Sequence, residues 1–167
     1  MILFEDETGF SLHPKLGRIW AKRGTKPYVY TRSQHRKRLN LFGWVEPVHG
    51  LHGMMKALKG DTTGFINLLK RIVVRFRDKT IDLWVDNASW HKGPRVLEFV
   101  VEHRRLHIHY LPPYHPELNY QEVLWRTMRY QETTNVYFET MDHLEQSVFR
   151  RSRCWKPKKV MSLCKFT

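Results

Sequence analysis

Residues 80–92 read TIDLWVDNASWHK, and this stretch contains a short apolar strand that ends on an acid. The strand predicted over residues 80–85 delivers Asp86 at its carboxyl end. A helix is predicted to follow, because Pro94 suits the first helical position and the helical pattern runs to about His103. A strand, an acid and a helix in this order are typical of α/β sheets, whose ligands bind at the carboxyl ends of strands.

Further strands and helices are predicted on both sides of this stretch. Apolar runs predict strands at residues 2–4, 39–45, 51–58 and 106–111, with a basic hairpin or insertion over residues 9–38. Helical spacing predicts helices over residues 61–76 and 119–131 and a last one from about residue 142, where Glu145 is placed for a capping box. This order favours an α/β fold in which a mixed sheet is flanked by helices.

Three acidic residues are predicted to meet at one edge of this sheet. Asp6 and Asp86 each follow an apolar strand, and Glu122 takes the third position of a helix if Asn119 is its N-cap. Clustered carboxylates raise one another's pKa unless a cation neutralises them, so the trio predicts bound Mg²⁺ or Mn²⁺. Taken singly, a strand-end aspartate and a capping-box glutamate are also ordinary structural residues.

The composition fits one domain that binds a polyanion. The chain has 167 residues, and 29 Lys and Arg against 16 Asp and Glu give a net charge of +13 and a pI near 10.0. This charge favours a nucleic acid or an anionic membrane. No run is apolar enough for a membrane span, and the acidic start MILFEDE does not suit a signal peptide. We therefore expect a cytoplasmic, nucleoid-associated protein with no membrane partner.

Basic residues are dense between residues 22 and 38, where Tyr28 and Tyr30 are interleaved with them. Such a segment suits contact with DNA phosphates irrespective of base sequence, although a solvated charged hairpin has the same pattern. The candidate DNA-binding residues are Lys22, Arg23, Lys26, Arg32, Arg36, Lys37 and Arg38. The basic tail over residues 151–167 is expected either to contact DNA as well or to be disordered.

Two extended motifs surround the second and third acids. Residues 86–92 read DNASWHK, and residues 111–119 read LPPYHPELN ahead of Glu122 and Trp125. With the early DET at residues 6–8 and GRIWAKRG at residues 17–24, they make the chain similar to a known family. The chain resembles the catalytic domain of DDE transposases of the mariner-like superfamily, in its bacterial insertion-sequence branch. The resemblance spans nearly all of residues 2–150.

The resemblance implies a ribonuclease-H-like catalytic domain over residues 1–150, in which Asp6, Asp86 and Glu122 hold two Mg²⁺ or Mn²⁺ ions. It implies cleavage of double-stranded DNA at transposon ends and strand transfer into target DNA, within a homodimer or larger assembly. Complete members carry a helix-turn-helix region ahead of this domain. Here that region is expected to be absent, as in a truncated element or one half of a split element, and to be supplied by a separate domain or protein.

The sequence departs from the family at the run before the third acid. His115 and Tyr120 replace the serine and the second proline of the usual SPELNP, and Gln121 replaces an apolar residue. Two other functions are therefore kept beside the transposase: a catalytically silent DNA-binding remnant, and a ribonuclease-H-like nuclease that cuts without joining.

Three neighbouring residues have two interpretations each. Asn87 either supports the metal ligands or only forms the turn that ends its strand. His91 either serves the site, by contacting the scissile phosphate or holding the active-site loop, or only satisfies backbone groups of its loop. Trp125 shares a helical face with Glu122, which favours core packing beneath the site over stacking on a base.

Overall fold

The structure is a computed structural model that describes residues 1–31 and 37–165. These residues contain five strands and five α-helices. The strands are β1 (Ile2–Ser11), β2 (Arg38–Glu46), β3 (Leu51–Ala57), β4 (Ile81–Val85) and β5 (Leu106–Tyr110). The helices are α1 (Thr62–Arg75), α2 (Pro94–Glu102), α3 (Tyr120–Met128), α4 (Met141–Cys154) and α5 (Pro157–Cys164). Short 3₁₀ helices cover Ser89–His91 and Pro116–Leu118, and a π-helical turn, Arg129–Thr133, continues α3.

The strands form one mixed sheet in the order β3-β2-β1-β4-β5. β2 is antiparallel to both β1 and β3, whereas β1, β4 and β5 run parallel to one another. In the β1–β4 pair Phe4 lies opposite Trp84, and the same offset continued for two residues brings Asp6 level with Asp86. The predicted mixed sheet flanked by helices is therefore confirmed, and its parallel part aligns two of the three acids.

β1 is longer than its apolar start predicts. The sequence pattern ends this strand at about residue 4, but pairing with β2 continues from Phe4 opposite Val45 to Ser11 opposite Arg38. Hydrogen bonds to a strand far along the chain keep the acidic residues extended, and local hydrophobicity does not reveal such a partner. The prediction that Asp6 follows its strand is wrong, because Asp6 lies inside β1.

Side chains of β1 alternate between two cores on opposite faces of the sheet. Leu3 belongs to the core beneath α1 and α2. Phe4 belongs to the core beneath α3, α4 and α5. The same alternation places Glu5 and Glu7 on the α1 face and Asp6 on the α3 face.

α1 and α2 follow their local sequence signals. Asp61 caps α1, since its Oδ1 accepts a hydrogen bond of 2.8 Å from the backbone N–H of Gly64. The apolar face predicted for α1 packs into the core. α2 begins at Pro94 as predicted, so the loop that follows Asp86 leads directly into a packed helix.

α3 approaches β2 closely because Gly43 has no side chain. A Cβ atom there would lie 2.4 Å from Cζ2 of Trp125 and 2.6 Å from Nε2 of Gln121. Trp125 is buried, as predicted for a core residue, and its ring meets Phe10 edge-on with centroids 6.3 Å apart. Because Gly43 lies opposite Asp6 in the β1–β2 pair, this contact sets how near α3 comes to that acid.

In the connection between β1 and β2, nearly all of residues 15–31 are exposed. The described residues 12–31 of this connection form no hairpin, and Lys15 makes one isolated bridge, with Thr134. The hairpin interpretation is therefore wrong for these residues, while the insertion interpretation fits them. Alternating hydrophobicity is weak here, and Trp20 is fully exposed.

The C-terminal segment as far as Cys164 consists mainly of packed helices, so the prediction of a disordered tail is wrong for residues 151–164. α4 continues to Cys154 and α5 follows, and Trp155, Val160 and Cys164 are buried in the core on the α3 face. Arg151 pairs with the buried carboxylate of Glu132. Residues 151–164 therefore pack against the domain that was predicted to end at residue 150.

α4 begins at a different cap from the one predicted. Thr140 is the N-cap and accepts a hydrogen bond of 3.2 Å from the His143 N–H, so the predicted capping box with Glu145 is wrong. Glu145 forms an ion pair with Lys56 of β3 instead. Among the described residues, no helix combines the length and the apolar composition needed to cross a membrane.

Candidate active site

The three predicted carboxylates line one cleft at the edge of the sheet. Asp6 comes from β1, Asp86 follows β4, and Glu122 comes from the first turn of α3. The cleft has a volume of about 420 Å³, and the loop of residues 111–116 forms another part of its wall. The structure therefore brings together acids that are far apart in sequence.

The surroundings of Asp6 disfavour the ionised form of its carboxyl group. Its Oδ2 is buried and receives no hydrogen bond from the described residues. Burial, followed by the negative charges of Glu122, Glu7 and Asp86, raises the pKa of Asp6 from 3.8 to about 8. A bound cation would remove this penalty, because it would supply both the missing partner and the missing positive charge.

Asp86 is more exposed and is held in place by its own loop. Its Oδ1 accepts a hydrogen bond of 2.8 Å from the Ala88 N–H and lies 3.0 Å from Nδ1 of His91. The hydrogen bond with His91 lowers the pKa of Asp86, so this carboxylate stays ionised. Asp86 is thus a fixed anion at the mouth of the cleft.

His91 lies beneath the cleft and is fully buried. Burial alone would lower its pKa, but hydrogen bonds with Asp86 and Glu7 outweigh burial and raise the pKa to about 10. Its Nε2 is 3.1 Å from Glu7 Oε1, and its ring lies 4.3 Å from that of Phe65. This placement supports the interpretation that His91 holds the loop and orients Asp86.

Glu122 is positioned by the cap of α3. Asn119 accepts a hydrogen bond of 3.1 Å from the Gln121 N–H, which confirms it as the N-cap and places Glu122 at the third helical position. No capping box forms, because the Asn119 N–H donates to the Pro116 carbonyl at 3.0 Å. Asn119 also donates to the Glu5 carbonyl at 2.7 Å, which ties the start of α3 to β1. The Glu122 side chain is thereby left facing the cleft, near the positive end of the helix.

The altered run before Glu122 is accommodated in the fold. Tyr120 occupies the first helical position, where the family usually has proline, and its ring packs edge-on against Phe4 with centroids 4.8 Å apart. Gln121 is buried next to Gly43. These substitutions leave the backbone path to Glu122 intact.

Glu7 is a site residue that the sequence reasoning missed. Its Oε1 accepts a hydrogen bond of 2.7 Å from Nε1 of Trp90. Asp6, Glu7 and Asp86 each offer a carboxylate oxygen within 4.8 Å of the others. Its position directly after Asp6 was the available signal, but the alternation of a strand argues against two neighbours sharing one site.

Asn87 ties the loop after β4 to the loop after β5. Its side-chain amide donates to the Leu111 carbonyl, and its Oδ1 accepts a hydrogen bond of 2.6 Å from Lys92 Nζ. Asn87 also lines the cleft. The Asn87 amide thus joins the two walls of the cleft, while its Oδ1 binds Lys92 of the same loop.

The described members of the basic segment are all exposed. Lys22, Arg23 and Lys26 are exposed on the insertion, and Lys37 and Arg38 are exposed at the start of β2. Arg32 and Arg36 lie outside the described residues. Contact of these residues with DNA stays a prediction.

The carboxylates fit a hard divalent cation. Mg²⁺ and Mn²⁺ prefer oxygen ligands, and Asp6, Glu7 and Asp86 supply oxygens at mutual distances that one ion can span. Glu122 lines the same cleft but lies outside this tight group. The unpartnered oxygen of Asp6 is the strongest sign that the group is built around a positive charge.

Comparison with known proteins identifies the family. Residues 1–145 match the family described as DDE superfamily endonuclease. Over 151 residues the chain is 31% identical to an uncharacterized 39 kDa protein of insertion element IS630 from Shigella sonnei, and the match covers 88% of this chain and 43% of that protein. The chain therefore spans less than half the length of this relative.

Solved structures show the same fold. The Mos1 strand transfer complex has a TM-score of 0.74 at 15% identity, covering 98% of this chain and 50% of that one. The catalytic domain of Mos1 mariner transposase has a TM-score of 0.65 at 14% identity, covering 98% and 75%. These likenesses confirm the predicted ribonuclease-H-like fold. Together with the match over residues 1–145, they confirm the resemblance, and the chain belongs to the DDE superfamily endonucleases.

Proposed function

We propose that this chain is the catalytic domain of an insertion-sequence transposase, which cuts double-stranded DNA at transposon ends and joins those ends to target DNA. The observation that carries this proposal is the convergence of Asp6, Asp86 and Glu122 on one cleft, with a buried Asp6 oxygen that lacks a partner. Family membership supplies the reaction class.

The three carboxylates would bind two Mg²⁺ or Mn²⁺ ions. When bound, the ions activate water or a DNA 3′-hydroxyl and stabilise the leaving oxygen. Paired-end complexes of Mos1 with Mn and with Mg are known, which supports the choice of ions. Asp86 enters this role already ionised and oriented by His91, and Asp6 becomes ionised when it loses its proton on metal binding.

The proposed reaction has two balanced steps. In the first, a water oxygen bonds to phosphorus while the bond from phosphorus to the 3′ oxygen breaks, leaving a 3′-hydroxyl and a 5′-phosphate. In the second, that 3′-hydroxyl bonds to a target phosphorus, and the target 3′ oxygen leaves. Neither step needs a covalent bond to the protein, so the task of Asp6, Asp86 and Glu122 would be to hold cations whose charge offsets the negative charge of the reacting phosphate.

The insertion between β1 and β2 is proposed to contact the DNA backbone. Lys22, Arg23 and Lys26 are exposed on it, and Lys37 and Arg38 stand where it returns to the sheet. The excess of +13 over the whole chain favours such contacts.

We also propose that the domain acts as a homodimer or larger assembly on nucleoid DNA. Solved Mos1 relatives include a paired-end complex with the left transposon end, which supports an assembly on DNA ends. Recognition of particular ends is assigned to a helix-turn-helix region, in a separate domain or a separate protein.

Strand transfer by the purified chain tests this function. A labelled duplex with a pre-cut 3′-hydroxyl end is incubated with supercoiled plasmid and Mg²⁺ or Mn²⁺. The proposal predicts labelled plasmid products that disappear in EDTA and in the Asp86→Asn variant. Metal-dependent nicking without joined products would indicate a nuclease that only cuts, and DNA binding without either product would indicate a silent remnant.

A further inference from the structure

A second cluster of metal-binding side chains lies on the opposite face of β1 from Asp6. Nε2 of His91 is 3.1 Å from Oε1 of Glu7 and 3.7 Å from Oε2 of Glu5. All three side chains offer one ligand atom within 4.8 Å of the others. The cluster sits between β1 and α1, because His91 packs against the ring of Phe65.

Glu5 is the feature of this cluster that ordinary packing leaves unexplained. Its side chain is fully buried, and neither carboxylate oxygen has a hydrogen-bond partner among the described residues. A buried carboxylate that receives no hydrogen bond is unfavourable, even with the imidazole of His91 nearby. Adding a proton does not resolve this, because the new O–H donor would still need an acceptor. The distance of 3.7 Å to His91 is too long for a hydrogen bond.

The geometry points to a divalent-ion site formed by Glu5, Glu7 and His91, and we propose that it takes Zn²⁺. Zinc binds imidazole nitrogen and carboxylate oxygen at about 2.0–2.2 Å, which places ligand atoms about 3–4 Å apart. The separations of 3.1 and 3.7 Å fall in that range. Two carboxylates and one divalent ion also leave the buried cluster without net charge.

Neighbouring side chains hold His91 and Glu7 in orientations that suit metal binding. Nδ1 of His91 faces Asp86 at 3.0 Å, which is the usual arrangement for a ligating histidine and leaves Nε2 for the ion. The indole of Trp90 donates to Glu7 and fixes that carboxylate. The nitrogen ligand favours Zn²⁺ over Mg²⁺, so this site differs in its ligand set from the oxygen-lined cluster at the cleft, with which it shares Glu7.

Cobalt binding tests the site without relying on catalysis. The full chain is stripped with EDTA and titrated with Co²⁺, whose visible absorption reports a four-coordinate site containing nitrogen. We expect a visible band in the wild type, which Zn²⁺ abolishes by competition. Glu5→Gln should lose the band and bind one equivalent less, whereas Glu122→Gln should keep the band because Glu122 lies in the cleft. Equal stoichiometry and an unchanged band in Glu5→Gln would overturn the proposal.

Two measurements keep the test decisive if Glu5→Gln folds poorly. In the Glu122→Gln variant, Zn²⁺ at about 100 times its Kd should raise Tm by about 5 °C or more over the EDTA-treated protein. A zinc-soaked crystal of the wild type should give an anomalous peak between the three side chains. No peak there, or no rise in Tm, contradicts the site. DNA nicking by the wild type is measured in a separate experiment. A negative result for the zinc site would therefore leave the proposed function unaffected.

Discussion

The side-chain amide of Asn119 donates a hydrogen bond of 2.7 Å to the backbone carbonyl of Glu5. The same side chain caps α3 by accepting from the Gln121 N–H at 3.1 Å. Glu5 directly precedes Asp6, and Gln121 directly precedes Glu122. One buried side chain therefore fixes the relative position of two acids that belong to elements far apart in the chain.

Replacing Asn119 should destabilise both the cleft and the fold. We expect Asn119→Ala to lower the free energy of unfolding by about 2–4 kcal/mol, because losing a cap costs about 1 kcal/mol and an unsatisfied buried carbonyl about 1–3 kcal/mol. Asn119→Ser keeps a capping oxygen and should recover about 1 kcal/mol of this. Urea unfolding measures both variants. An alanine variant as stable as the wild type would show that this link is dispensable.

The close approach of α3 to β2 predicts that Gly43 tolerates no larger residue. In Gly43→Ala the new Cβ would meet the Trp125 ring at 2.4 Å, so the free energy of unfolding should fall by about 1–3 kcal/mol. Gly60→Ala is the matched control, because a Cβ there meets nothing within 4 Å. Denaturant midpoints of the two variants give the comparison. Equal midpoints would mean that α3 can shift away at no cost.

Removing His91 should damage both stability and metal affinity. His91→Gln leaves Glu7 and the buried Glu5 without the imidazole that pairs with them, and breaking a buried pair of this kind costs about 3–5 kcal/mol. Asp86 also loses its anchor, so Mn²⁺ affinity measured by calorimetry should weaken by about 10–100-fold. Trp90→Phe removes only one donor to Glu7 and serves as the control. Unchanged Mn²⁺ affinity in His91→Gln would contradict the orienting role.

The metal-free protein should lose stability as pH rises. Burial and the charge of Glu122 raise the pKa of Asp6 to about 8, above its value in the unfolded chain. The folded state then binds more protons than the unfolded state between about pH 4 and pH 8, so Asp6 makes the free energy of unfolding fall across that window.

Asp6→Asn isolates this contribution. It should show a flatter pH dependence than the wild type in EDTA, and Mg²⁺ should flatten the wild-type curve because the ion takes the place of the proton. Urea unfolding at about pH 5 and pH 8 measures both curves. If the two proteins lose the same stability over this interval, Asp6 does not carry the proton.

Local signals were sufficient wherever a short stretch determines its own structure. Asp61 and Asn119 are caps that the sequence identifies, and Pro94 marks the start of α2. Asp86 could be placed because an apolar strand ends at it. The candidate trio could therefore be named before its geometry was known.

Nonlocal contacts account for what the sequence did not reveal. β1 runs to Ser11 because of its pairing with β2, which lies across a long insertion. Glu7 reaches the cluster through Trp90 and His91, and no spacing rule links these positions. Trp155, Val160 and Cys164 are buried in a core that also contains residues of β1, β2, α3 and α4.

Metal-dependent nicking of supercoiled DNA tests the central claim most directly. Wild-type protein is compared with Asp6→Asn, Asp86→Asn and Glu122→Gln, and with Glu117→Gln, which alters an exposed acid close to the cleft as the matched control. We predict nicking with Mg²⁺ or Mn²⁺ in the wild type and control, and a loss of at least about 100-fold in each of the three variants. Nicking that persists in EDTA, or that is equal in the wild type and Asp86→Asn, would contradict the assignment of Asp6, Asp86 and Glu122 as the metal-binding acids of this endonuclease.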